Sequence, residues 1–167
     1  MTPFVLLLIQ LAMSFAAAGL FAKRVALPWL ATRSREEALA PLLWVNVFRY
    51  LPLGLLAPGQ VDVGPARTAL VSIAAGDWAA SILAVVALSA LYTRGTTAMG
   101  WAWLFAVVSV LDIVVALTLG LGAGIYRHPL GVGWFVLTVY VPVVVVAQVL
   151  MGAVLLRKQH TAVRGAA

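Results

Sequence analysis

The sequence has no cysteine and only two histidines in 167 residues. Without cysteine there is no disulfide, no thiolate-ligated zinc or iron–sulfur cluster, and no thiol nucleophile. His128 sits in a short loop and His160 in the C-terminal tail. Neither is placed to ligate a haem inside an apolar helix. No HExxH or comparable metal-ligand spacing occurs, and no glycine-rich phosphate loop follows a strand-like segment. No metal or cofactor is therefore expected. Charge is scarce too, at 10% of residues, against about 25% in a soluble domain.

What fills the chain instead is apolar side chain. Hydrophobic residues make up 64% and the mean hydropathy is +1.08, where a soluble domain holds about 45–50%. That much apolar surface cannot be hidden from water by a chain of this length, so lipid is its natural solvent. The length allows a single domain. The formal charge is +6, but the bases stand beside apolar runs, at 23–24, 33–35 and 157–164. Membrane topology explains that placement, and no nucleic-acid partner is expected.

Five runs approach the ~20 residues that a spanning helix needs: 3–22, 39–56, 69–92, 101–121 and 132–156, followed by a basic tail at 157–167. Glycine- and proline-rich breaks separate them. The expected fold is an all-α integral membrane bundle of five helices. The second run carries Arg49, which lowers its hydropathy and leaves a four-span arrangement as the lesser alternative. Ser34-Arg35-Glu36-Glu37 reads as a capping box and starts a helix there. With five spans and the N-terminus outside, eight basic residues fall on the C-terminal, inner side, and Arg67 and Arg127 on the other. Four spans would strand the basic tail outside. Lys23 and Arg24 follow the first run and do not precede it, the pattern of an uncleaved anchor. Residues 25–33 read as an interfacial segment anchored by Trp29, and Trp101, Trp103 and Trp134 as an aromatic belt. Arg127 and His128 lie near the headgroups as an ordinary anchor. A bacterial inner membrane is the expected location.

The polar residues inside the runs share a depth. Counted from the outer end of each run, Gln10, Arg49, Asn46, Asp77 and Asp112 lie roughly 11–15 Å in. Gln148 is deeper, at roughly 24 Å. The runs alternate in direction, so adjacency in sequence cannot produce this layer. A mid-membrane charge costs about 2.5–3.5 kcal/mol and normally has a partner. Arg49 is therefore expected to pair with Asp77 or Asp112. One arginine against two aspartates leaves one negative charge, so one aspartate should take up a proton or hold a cation. Asp112 is favoured, because Leu111, Ile113 and Val114 surround it.

Ser109, Asp112, Ala116 and Gly120 form one stripe. Ser72, Gly76, Ala80 and Ala84 form a small-residue ridge, with Gly76 admitting a neighbouring backbone. Pro52 and Pro142 free the carbonyls of Phe48 and Thr138 beside the layer. Trp44, Phe48, Tyr50, Trp78 and Tyr140 are candidates to line an apolar pocket.

The leading functional reading is a pocket that binds a small ligand or handles protons or cations, in transport or conduction. Asp112 and Asp77 would carry the proton, with Arg49, Asn46, Gln10, Gln148, Tyr140, Trp44 and Trp78 as binding residues. Five helices are few for alternating access, which points to a homo-oligomer. One alternative is a membrane-embedded acid–base enzyme for an isoprenoid-, quinone- or sterol-like substrate. Another is an accessory subunit of a larger membrane complex. The state of the interior separates them: a water-filled path, a closed apolar pocket, or solid packing.

Overall fold

The structure, a computed structural model, describes residues 2–61 and 64–157. Lys158, His160 and Arg164 of the basic tail lie outside the described residues. Five helices are long and apolar enough to cross a membrane: α1 (Pro3–Ala31), α2 (Arg35–Leu56), α3 (Arg67–Tyr92), α4 (Ala98–Gly122) and α5 (Gly133–Leu156). The described residues include no strand. One end of the bundle carries Arg35, Arg94 and Arg157, and the other carries Arg67 and Arg127.

Local chemistry sets the helix ends. Thr2 caps α1, its hydroxyl accepting from Val5 N at 3.4 Å, with Pro3 in the first turn. Ser34 opens α2 with both halves of a capping box: its hydroxyl accepts from Glu37 N at 3.2 Å, and Glu37 Oε2 accepts from Ser34 N at 3.1 Å. The turn between α3 and α4 is a Schellman motif. Arg94, at φ 51°, occupies the left-handed position. Arg94 N donates to Leu91 O at 3.2 Å and Gly95 N to Ala90 O at 3.1 Å. Glycine is the usual residue at that position.

The prolines do not break the helices as their chemistry alone suggests. In α1 a π-turn over Ala22–Ala26 precedes Pro28, and in α5 a π-turn over Val136–Tyr140 precedes Pro142. In each case the helix resumes as regular α just after the turn. Leu27 N reaches back to Ala22 O and Val141 N to Val136 O. The wider turn makes room for a ring that cannot donate. The first helix therefore extends past the run 3–22, through Lys23 and Arg24 to Ala31, and residues 25–31 are its continuation. In α2 the α-helix tightens to a 3-10 helix over Phe48–Leu56, which contains Pro52.

Packing follows the small residues. Ala74, Ala80, Ala84 and Ala87 of α3 are fully buried, and so is Ala102 of α4. Ser72, read as the start of that ridge, is exposed. The core has two parts. The larger joins Leu39 and Leu43 of α2, Ala84 and Leu88 of α3, Ala102 and Phe105 of α4, and Leu150 and Met151 of α5, toward the Arg35/Arg157 end. The smaller gathers Leu70, Ile125 and Leu130, with Leu55, Ile73 and Leu137 against them, toward the Arg67/Arg127 end. The polar layer lies between the two.

Candidate functional site

Arg49 stands where α2 tightens into its 3-10 segment, and its side chain is 2% exposed. It is the largest fully buried side chain in the described structure. Its guanidinium meets two helices at once. Toward α3, Nε donates to Asp77 Oδ1 at 2.9 Å, with Nη2 at 2.8 Å from the same oxygen. Toward α4, Nη2 pairs with Asp112 Oδ2. Nη1 donates to Ser109 Oγ at 2.5 Å, one turn along α4. The planar fork with fixed donors suits an arginine between two acids, where lysine would offer one point charge.

The arginine reaches one oxygen of each carboxylate. Asp77 is 16% and Asp112 12% exposed, so the acids sit at the edge of the layer and the base at its centre. With both acids ionised the triad carries one net negative charge. Burying such a charge costs several kcal/mol unless a proton or cation offsets it.

Beyond Arg49 the hydrogen bonds continue toward the larger core. Ser109 Oγ donates to Gln148 Oε1 at 3.1 Å, and Gln148 Nε2 donates to Ala106 O at 3.0 Å. By depth along its run Gln148 lies beyond the other polar residues. It does lie nearer the Arg35/Arg157 end, but Ser109 bridges the offset and ties it in. Ser109, read only as part of a stripe, is thus a direct partner of the arginine. Its signal in the sequence was its place one turn before Asp112.

The change of helix type in α2 exposes backbone acceptors. Tyr140 Oη donates to Val45 O at 2.9 Å and Ser81 Oγ to Val47 O at 2.5 Å. These carbonyls lie just before the 3-10 segment, slightly ahead of the Phe48 carbonyl read from Pro52. On α5, Thr138, whose carbonyl was read from Pro142, turns its hydroxyl back to Trp134 O at 2.8 Å. Asn46 is fully buried. Its Nδ2 donates to Leu42 O at 2.8 Å, and its Oδ1 has no hydrogen-bond partner among the described residues.

Gly76 has a different role from the one its size suggests. What lies nearest its open face is a side chain of α4. It is the Asp112 carboxylate: a β-carbon at residue 76 would overlap Asp112 Oδ1 and stand 3.1 Å from Cγ.

Three sequence candidates fall elsewhere. Gln10 pairs with Trp134, whose Nε1 donates to Gln10 Oε1 at 2.5 Å, and so clips α1 to α5. Trp44 points outward and donates to Tyr92 Oη at 2.9 Å. Trp78 is exposed, as are Phe48 and Tyr50. Of the five aromatics proposed to line a pocket, Tyr140 alone reaches the layer. Among the described residues no three or more His, Asp and Glu side chains are grouped to hold a metal.

Residues 6–156 match the family described as Domain of unknown function (DUF8737). No curated protein and no solved structure matches the chain.

Proposed function

We propose that this chain, which belongs to the DUF8737 family, is a multi-pass membrane protein that handles protons at the Arg49–Asp77–Asp112 triad, in transport or conduction. We place it in a bacterial inner membrane with the N-terminus outside and the C-terminus inside, on the distribution of its basic residues. The observation that carries the proposal is the charge count at one buried point: a single guanidinium between two carboxylates. Ionisable groups at this depth mark ion and proton routes.

In this reading Arg49 is the fixed element. It holds one oxygen of each acid, so that one proton can sit on either carboxylate without the triad falling apart. Asp112, with one arginine contact against two for Asp77, is the acid that gives up its link more easily and carries the proton. The donors from Arg49 through Ser109 and Gln148 all point away from the acids and end on the Ala106 carbonyl. They brace the arginine and do not conduct. Apolar clusters lie on both sides of the layer, and in this reading they would have to part for exchange.

The same packing favours a second reading, in which the triad only registers three helices within a larger complex. Two measurements separate the readings. In lipid bilayers, infrared difference spectroscopy across a pH titration should show the carbonyl band of a protonated carboxyl, lost in Asp112→Asn. In proteoliposomes holding a pH-sensitive dye, a potassium diffusion potential should drive proton flux that Asp112→Asn abolishes. Absence of both the band and the flux in a folded parent protein would overturn the proposal in favour of the scaffold.

A further inference from the structure

The second feature of the bundle is a lateral groove of about 640 Å³ between α1, α2 and α5. It follows α1 from Ser14 to Leu30, about 24 Å of helix. Ala17, Ala18 and Ala22 face it from α1, and Leu42, Val143 and Leu150 stand opposite. Ser14 apart, its walls are hydrocarbon and the Trp29 ring. The alanines leave the space open that larger side chains would fill.

One end of the groove is electropositive. Trp29 lies there, with the Arg33 guanidinium 5.1 Å over its ring. Arg157 donates to Leu30 O at 3.1 Å and to Arg33 O at 2.7 Å, and Arg35 donates to Arg157 O. Arg35 Nε is buried with no hydrogen-bond partner among the described residues. The nearby acids face away from the groove. Glu36 and Glu37 line a separate cavity of about 530 Å³, against Tyr92 and Arg94. Glu37 is also engaged in the cap with Ser34. Arg33, Arg35 and Arg157 therefore gather at this end of the groove, while Glu36 and Glu37 line the other cavity with Arg94, Glu37 still near enough to Arg33 to feel its charge.

We infer that the groove binds an anionic phospholipid, with an acyl chain along α1 and its phosphate at Arg33 and Arg35. The groove is long enough for an acyl chain, since two such chains end to end fill the ~30 Å hydrocarbon core. Arginine forks match phosphate oxygens in pairs. Trp29 marks the level where chain meets headgroup, as interfacial tryptophans do. This inference is independent of the proton-handling proposal, because it uses none of the triad residues.

Trp29 also supplies the probe. Bilayers are prepared with bromine on the acyl chains of either phosphatidylglycerol or phosphatidylcholine, and the Trp29 signal is isolated by subtracting the Trp29→Phe variant. Phosphatidylglycerol at equal mole fraction should quench Trp29 several-fold more than phosphatidylcholine. Arg33→Gln should remove the preference, and Ala18→Leu, which fills the groove without touching charge, should reduce quenching by both lipids. Circular dichroism checks that each variant is folded. Equal quenching by the two lipids, or no effect of Ala18→Leu in a folded variant, would mean ordinary lipid solvation and overturn the inference. Native mass spectrometry adds a second test: retention of a phospholipid adduct is expected, and retention of a second copy of the chain in its place would assign the groove to self-association.

Discussion

Asp112 rests its carboxylate on Gly76: Oδ1 fills the space that a β-carbon at residue 76 would need, while Oδ2 faces Arg49. The glycine on α3 thus sets how near an acid on α4 can come to the arginine on α2. A triad drawn from three helices depends on a residue that makes no hydrogen bond to it through a side chain.

Gly76→Ala should therefore act through Asp112. The added methyl group forces the carboxylate aside and loosens the Arg49–Asp112 link, at about 1–3 kcal/mol. In an Asp112→Ala background the obstruction is gone, and the same substitution should cost much less. Thermal unfolding of the parent, both single variants and the double variant measures the coupling. Additive effects would show that Gly76 does not act through Asp112.

The two acids should differ. Asp77 Oδ1 receives two arginine nitrogens and Asp112 Oδ2 one. Asp112→Asn also removes the surplus negative charge and leaves a one-to-one pair. Asp77→Asn should lower the unfolding midpoint clearly, and Asp112→Asn little. Arg49→Met should be the most damaging, because it leaves two buried acids without a partner; such losses run to about 3–5 kcal/mol. The order of midpoints in detergent checks this, and equal losses at Asp77 and Asp112 would contradict it.

Asn46→Leu offers a cleaner separation of stability from function. The unpaired Oδ1 is a buried acceptor of the kind that costs about 1–3 kcal/mol. Its removal should leave the midpoint unchanged or raise it. A fall in proton flux in that more stable variant would mark the amide as part of the working site. Unchanged flux would assign Asn46 to packing.

Gln10 and Trp134 should prove to be a structural clip between α1 and α5. Gln10→Leu and Trp134→Phe should lower stability in a coupled way, with an interaction of about 0.6 kcal/mol, the average for interhelical pairs in a membrane. Proton flux should survive both. Loss of flux in folded Gln10→Leu would return that residue to the site.

Arg94 carries a side chain through a left-handed conformation at φ 51°, which costs a non-glycine residue about 1–2 kcal/mol. Arg94→Gly should raise the unfolding midpoint by a few degrees. No rise would mean that side-chain contacts of Arg94 offset the strain.

The character of the chain was legible in its letters because the physics there is local. Hydropathy over some twenty residues marks each apolar helix, Ser34 and Glu37 form a cap within one turn, and a lone arginine among apolar neighbours demands an acid. That reasoning reached Arg49, Asp77 and Asp112 without coordinates. It could not reach Ser109 as the bridge to Gln148, or Gly76 as the seat of Asp112, or the separation of Gln10, Trp44 and Trp78 from the layer. Depth can be counted along a helix, but the direction a side chain faces depends on how the helix is turned about its axis. The π-turns before Pro28 and Pro142 and the 3-10 segment after Val47 each shift that angle away from a regular α-helical count. Only the packing of five helices against one another decides which polar groups meet.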